Sequence, residues 1–563
     1  MLKEYSINKR LLSVGLLLSL LLFLLIVRLG YIQIVKASEY SEKAHKQRTL
    51  AVSIERLRGD ILDRNGIPFT KGKERSYLLL FPGLLHEDES VVNIIHAMTG
   101  MSKDDIMQIS RINTPYIKKE ILRSVVQWEI DIESGKYPGI MILRERTRYD
   151  NTSLARHVIG YLNKSDMTPV AGIEKEYNEY LNSNSSMIMY AVTDARKHVI
   201  PGVGFKIIGE PKTYYNVQLT LDYHIQEALE DALDKDGGRG GGVVIDVNTG
   251  DILAMASRPN FDQNDVLASI NKDDSLWSVP SVAFPPGSIF KIIVAAAALE
   301  AGICDGDTPY TCTGEITING VTYSCHPNIG GLGEITMREA FAYSCNDAFI
   351  KLAQELGGEK IIEMAKRLGF GSSLDIGMMN ESGRLPDKAE YAGAGIGNLA
   401  IGQGKVEATP LQVANMISII ANDGVRKNIG LINGLTSQKG EIVRDTRVEE
   451  QATRVLSPEV AEELKQWMRS ATEYGTGIGA NSLSIGGTAG KTGTPQIAGD
   501  PNAKYYGWFA GFFPVDQPQY AIAILSREES SGGTRAAAIF RETAEAIYKY
   551  TQKLDELKLA IYR

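Results

Sequence analysis

The sequence predicts an α/β (α+β) protein: a central, largely antiparallel sheet flanked by helices, set behind an N-terminal accessory region and one membrane-spanning helix. Three observations carry this. An uncharged apolar run, "LLSVGLLLSLLLFLLIV", occupies Leu11–Val27. In mid-chain, "VVIDVNTGDILAMA" sets two apolar strands, Val243–Val247 and Ile252–Ala256, about the turn Asn248-Thr249-Gly250. Late in the chain, "SIGGTAGKTGTPQ", "KYYGWFAGFFPV" and "QYAIAILSR" read as adjacent strands and run into the helical "TRAAAIFRETAEAIYKYTQKL". A hairpin, then helices, then strands and a closing helix suits an antiparallel sheet with helices packed on it.

The N-terminal run is apolar all round, and with Arg28 snorkelling and "LGYIQI" behind it the segment reaches the ~20 residues that cross a bilayer. It is longer than the ~7–15 apolar residues of a secretory signal, and "VKASEY" is a poor cleavage site, so residues 11–33 are expected to remain as an anchor. Lys3, Lys9 and Arg10 precede it, whereas Arg28, Lys36, Lys43, Lys46 and Arg48 follow, so the charge count does not fix its orientation. Residues 1–10 are too few to fold. The chemistry therefore lies after the anchor, in a chain of 563 residues that is long enough for two or three cores. A net charge of −8 argues against nucleic acid as a main partner.

Residues 38–205 are mixed in character. "RGDILDRNGIPF" (58–69) reads as two short strands about Asn65-Gly66, and "RTRYDNTSLARHVIGYLNK" and "GIEKEYNEYL" come later. No nucleophile–base pair or metal-ligand spacing appears here, which points to a structural or interaction domain. A strand ending at Thr220 then leads to Asp222, placed to cap a helix with Ile225, Ala228, Leu229 and Ala232 on one face.

Three short constellations carry chemistry. In "AFPPGSIFKIIVAAAALEAG", Pro285-Pro286-Gly287 ends the preceding structure and Ser288 opens a helix. Lys291 is one turn on, and positions i and i+3 have Cβ atoms about 5–6 Å apart, so its Nζ is expected to reach Ser288 Oγ. The greasy helix behind it desolvates the lysine and favours the neutral, proton-accepting form. The Ser288 amide, at a helix start, is a donor suited to an oxyanion. Ser344-Cys345-Asn346 falls where two helices of "ITMREAFAYSCNDAFIKLAQELG" join, and offers a second hydroxyl for proton transfer and an amide that binds a peptide group in both directions. Lys491-Thr492-Gly493-Thr494 reads as a strand beside the same cleft. Its ammonium and hydroxyls suit a carboxylate, Gly493 admits a ligand backbone, and the Thr494 amide can complete an oxyanion pair. Each alone is a common cap or surface pattern.

Their order and separation match the S-x-x-K, S-x-N and K-T-G set of penicillin-binding proteins and serine β-lactamases. With "RGDILDRNG", "GIEKEYNEYL", "GGVVIDVNTGDILAMASRPNFD", "ESGRLP" (381–386), "IGQGKVEATPLQVANMISIIANDG" and "YYGWFAGFFP" in order, the chain resembles a class B penicillin-binding protein over nearly its whole length. The resemblance implies a cytoplasmic tail (1–10), an anchor (11–33), a pedestal or dimerisation domain (38–205) and a transpeptidase domain of penicillin-binding fold (206–555) outside the membrane. No glycosyltransferase domain separates anchor from pedestal, which implies class B, and no further C-terminal module is expected.

The implied activity is peptidoglycan D,D-transpeptidation. Ser288 would attack the D-Ala–D-Ala amide of a stem peptide, with Lys291 as base. Ser344, with Lys491, would pass the proton to the leaving D-Ala, Asn346 would hold substrate backbone, and Thr492 and Thr494 would bind the terminal carboxylate. β-Lactams would acylate the same serine. A polytopic glycosyltransferase is the implied partner, and no metal or organic cofactor is implied. The chain departs from the family at Ile289, where threonine is frequent, and at "CHPNIGGLGEITM", which lacks the His-Gly that often precedes the S-x-N helix.

Cys304, Cys312, Cys325 and Cys345 lie in one short region. Four cysteines allow three full pairings. A Cys325–Cys345 disulfide that sets the S-x-N loop and unbonded buried thiols both remain open. Cys325-His326 has no second pair at ligand spacing, so no metal site is expected.

Overall fold

The computed structural model describes the chain apart from residues 1, 38–39, 41–48, 71, 83–84, 86–87, 113, 115, 138, 193–204, 209–213, 236, 238, 271–274, 326–329, 447–451, 496–504, 529–532 and 562–563. The chain divides into two compact units. One holds residues 1–57, 74–147 and 183–213, and the other holds 58–73, 148–182 and 214–563.

In the first unit, helix α1 (Leu2–Gly30) continues as a π-helical turn to Val35. Its stretch Val14–Ile34 is long and apolar enough to cross a membrane and buries nothing against the protein. From the sequence, an anchor is expected at 11–33. Elsewhere in the unit, Glu74–Leu80 is the central strand between Ile117–Glu120 and Ile140–Arg146. Leu78 and Leu80 of the central strand pack with Val91, Ile94, Ile95 and Met98 of the helix Glu89–Thr99, whose amphipathic spacing supplies a small core.

The second unit is built on a five-stranded antiparallel sheet. Its strands are β1 (Gly240–Asp246), β2 (Ile252–Arg258), β3 (Ala489–Gly493), β4 (Tyr505–Phe513) and β5 (Tyr520–Glu528), in the order β2-β1-β5-β4-β3. Helices α2 (Tyr223–Lys235) and, at the chain's end, Thr534–Ile561 cover one face. Val244, Leu253, Phe509, Phe513, Ile522 and Ile524 point there. The alternate residues Val243, Ile245, Trp508, Phe512, Ala523 and Leu525 join the larger core on the other face. That core is completed by α3 (Lys291–Glu300), α4 (Met337–Ala342), α5 (Asn346–Leu356), α6 (Pro410–Ala421) and α7 (Pro458–Glu473). The expected hairpin, the three late strands and the closing helix are all present.

Segments 58–73 and 148–182 lie inside the expected pedestal span of 38–205, yet they belong to this second unit. Their residues explain why. Arg58 and Arg148 both pair with the fully buried Glu174 carboxylate, which also accepts from Tyr149 Oη at 2.8 Å. In "DRNG", Asp63 Oδ1 accepts from the Asn65 and Ile67 amides at 2.7 Å and shapes the turn. Asp63 Oδ2 receives the Tyr223 amide at the start of α2. Asp222 caps that helix as expected, accepting from His224 and Ile225. Only the first of the two strands expected around Asn65-Gly66 forms, at Ile61–Leu62; Pro68, which lacks an N–H, makes a single bridge to Leu62.

Candidate active site

Ser288 lies in a 3-10 turn, Gly287–Phe290, that runs directly into α3. The turn is clamped from several sides. Phe284 and Ala408 exchange backbone hydrogen bonds, Gly287 N–H donates to Gly402, and Trp508 Nε1 donates to the Pro285 carbonyl at 2.9 Å. Glu381 of "ESGRLP" accepts from the Ala283 amide at 2.7 Å. The stretches 381–386 and 401–410 thus serve as the mould of this turn. Gly287 has φ +55, and a Cβ there would come within 2.7 Å of Pro495 Cδ and 3.3 Å of the Thr494 amide nitrogen. The segment Thr494-Pro495 therefore runs against the serine turn. Neither the Ser288 nor the Thr494 amide has an acceptor among the described residues. Two free N–H groups, from adjacent backbones, are what an oxyanion site needs.

Lys291 departs from expectation. It makes no hydrogen bond to Ser288 Oγ. Its Nζ donates instead to the Ser344 carbonyl at 2.6 Å, to Asn346 Oδ1 at 2.7 Å and to Ser344 Oγ at 3.2 Å. The i, i+3 argument placed the two side chains on one face but took no account of acceptors from another element. The lysine is wholly buried, and desolvation pulls its ammonium down to about 8. Ser344 adopts φ +59, left-handed for a non-glycine residue, where α4 ends. Its N–H bonds Phe341 and the Cys345 N–H bonds Ala340, which closes the helix and turns both the Ser344 carbonyl and hydroxyl toward Lys291. Asn346 Nδ2 meanwhile donates to the Ser324 carbonyl at 2.8 Å, which fixes the amide's orientation.

Lys491 sits on β3, fully buried, with Nζ 5.7 Å from the Phe341 ring centroid. Burial, and then repulsion from Lys291, pull its ammonium well below the usual lysine range. Thr492 Oγ1 pairs with Thr476 Oγ1 at 2.7 Å. Thr476 escaped sequence reading, although "YGTG" held the clue of a hydroxyl between glycines: Gly475 passes so close to the Ala342 carbonyl that a Cβ would sit 2.3 Å from it. Gly493 corrects an expectation. A Cβ there would meet the Pro286 carbonyl at 2.7 Å and Ile289 Cγ1 at 2.9 Å, so the missing side chain makes room for the serine turn rather than for a ligand. Ile289, the unusual residue after Ser288, is the group that fills this space.

Of the two cysteine states left open, the structure holds unbonded thiols. All four are free thiols, and Cys325 Sγ lies 3.7 Å from Cys345 Sγ, far beyond the ~2.05 Å of a disulfide. Cys312 joins them, so three thiols cluster where no metal-ligand spacing was read. Their positions, 13 and 20 residues apart, carry no ligand motif; a hairpin (Glu315–Ile318 with Val321–Ser324) folds them together. His326 lies outside the described residues, as do Pro327, Asn328 and Ile329 of the segment that lacks His-Gly. A cleft of about 960 Å³ lined by Tyr177, Thr220, Asp375, Asn415 and Arg426 contains none of the residues named in this site.

Residues 240–545 match the penicillin-binding protein transpeptidase domain, and residues 53–202 match the penicillin-binding protein dimerisation domain. The penicillin-binding protein PbpB of Mycolicibacterium smegmatis is 30% identical over 570 residues, covering 92% of this chain and 86% of the relative. The peptidoglycan D,D-transpeptidase MrdA of Acinetobacter baumannii is 26% identical, covering 97% of this chain and 88% of the relative. Among solved structures, a chain of a peptidoglycan synthase complex described as coordinating polymerization and crosslinking superposes with a TM-score of 0.71 at 23% identity, over 96% of this chain and 98% of that one.

Proposed function

Since the chain belongs to the penicillin-binding protein transpeptidases, we propose that it cross-links peptidoglycan stem peptides through an acyl-enzyme on Ser288. The observation that carries this reading is the grip of Ser344 and Asn346 on the buried Lys291 Nζ, one turn from Ser288.

In the neutral form Lys291 takes the Ser288 proton as Oγ attacks the D-Ala–D-Ala carbonyl carbon. The oxyanion forms between the Ser288 and Thr494 amides. Ser344 Oγ, in reach of Lys291 Nζ, relays the proton to the leaving D-Ala amine together with Lys491, whose burial readies it to give up a proton. Asn346, with Oδ1 and Nδ2 already engaged, holds Lys291 first and substrate backbone second. Thr494 and the Thr492–Thr476 hydroxyl pair take the terminal carboxylate, since a hydroxyl pair keeps one proton free to donate. An amine of a neighbouring strand then attacks the acyl-enzyme and restores the serine. β-Lactams acylate Ser288 by the same attack.

The N-terminal apolar helix anchors the chain, with residues 1–10 in the cytoplasm and the chain beyond the anchor outside. The likeness to a chain of a synthase complex supports a polytopic glycosyltransferase as partner.

The test is labelling by a fluorescent penicillin, compared with Ser288→Ala, followed by supply of a stem peptide and an amine acceptor. Label on the wild type alone, then peptide transfer to the amine, is expected. An unlabelled wild type sinks the reading, and release of D-Ala without transfer would instead indicate a carboxypeptidase.

A further inference from the structure

We propose that Cys312, Cys325 and Cys345 form a three-thiolate site for zinc, which staples the Ser344-Cys345-Asn346 turn to the hairpin beside it. The three Sγ atoms stand 3.3, 3.7 and 3.9 Å apart. Thiolates on a tetrahedral zinc at ~2.3 Å stand about 3.8 Å from one another. A triangle of this size puts each sulfur roughly 2.1 Å from its centre, so a zinc at ~2.3 Å rides about 1 Å off the plane and keeps a fourth position open.

The donor set suits a thiophilic cation. All three side chains are buried, with 2%, 7% and 1% exposure. The nearby Asp347 carboxylate is engaged elsewhere, by Tyr310 Oη, the Thr313 amide and Thr313 Oγ1, which leaves sulfur as the available ligand. The surroundings also support thiolate charge. The Asp347 amide donates to Cys325 Sγ at 3.5 Å and the Ala348 amide to Cys345 Sγ at 3.4 Å, both at the start of the eleven-residue helix α5. On binding, the three thiols release their protons to solvent and zinc accepts three sulfur lone pairs, with no change of oxidation state.

The site ties three elements together: the strand Pro309–Cys312, the end of the hairpin strand Val321–Ser324, and the cap of α5. Cys345 lies between the two residues that hold Lys291. A bound cation therefore fixes the position of the base, a consequence that rests on the proposed function, whereas the site itself does not.

Full-length protein in detergent, reduced and freed of reductant, is titrated with cobalt(II). One equivalent is expected to bind with thiolate-to-cobalt charge-transfer absorption and the visible bands of a tetrahedral ion, and zinc is expected to displace it. Cys304→Ser should keep the spectrum, whereas Cys325→Ser and, independently, Cys312→Ser should lose it and weaken binding by tenfold or more. Circular dichroism and thermal unfolding of each variant report that the fold survives. If the wild type took no penicillin but gave the cobalt spectrum, the proposed function would fail and the metal site would stand. Absence of the spectrum with all thiols reduced, its retention in both cluster variants, or a disulfide among the three in freshly alkylated protein would overturn the site.

Discussion

Lys291 Nζ donates to Asn346 Oδ1 at 2.7 Å, while the other end of that amide is tied to the Ser324 carbonyl. The base is thus positioned by an asparagine whose orientation is set from behind. Asn346→Ala removes an acceptor and a strut, and acylation by penicillin is expected to fall about 10²-fold, the scale of a displaced general base. Asn346→Asp places a carboxylate against the ammonium and stabilises it. Its pH–rate profile should move to higher pH, which stopped-flow acylation across pH reads directly.

The wild-type profile has a defined sign. Burial lowers the Lys291 ammonium to about 8, so the neutral base predominates above that pH. Acylation is expected to rise about tenfold per pH unit below 8 and to level off above it. A flat profile from pH 6 to 9 would contradict Lys291 as the proton acceptor.

The glycine of the third motif gives a packing prediction. Gly493→Ala pushes a Cβ into the Pro286 carbonyl and Ile289. Overpacking of this kind costs roughly 1–3 kcal/mol. Lower thermal stability and slower acylation should appear together, because the displaced group is the serine turn itself. Pairing it with Ile289→Ala, which removes Cγ1, should restore part of both, as measured in a double-mutant cycle.

Glu174→Ala leaves Arg58 and Arg148 buried without their counter-charge. Loss of one partner from such a group costs about 3–5 kcal/mol. Denaturant unfolding should show that loss, while the folded fraction keeps its penicillin acylation rate.

These cases mark what the sequence could and could not disclose. Periodicity placed the sheet, the anchor and the α2 cap, because each depends on neighbours within a few residues. Ser288, Lys291 and the two later motifs were legible as types at a spacing. Their actual contacts were not: Lys291 turned toward Ser344 and Asn346, more than fifty positions away, and Thr476 joined Thr492 from another loop. The thiol cluster was invisible for the same reason, since strand pairing and a helix start bring it together. Gly493 shows another limit: the sequence offered a ligand as the reason for the glycine, whereas the Pro286 carbonyl and Ile289 fill the space where its side chain would lie.

Ser344 carries a further meaning for anyone rewriting this chain. Its backbone dihedral is the one that glycine fills without strain, and serine there costs about 1 kcal/mol or more. A redesign that optimised conformational comfort residue by residue would write glycine at 344 and gain stability. It would also delete the hydroxyl that faces Lys291, and return a sturdier protein without the group to which the proposed function assigns proton transfer.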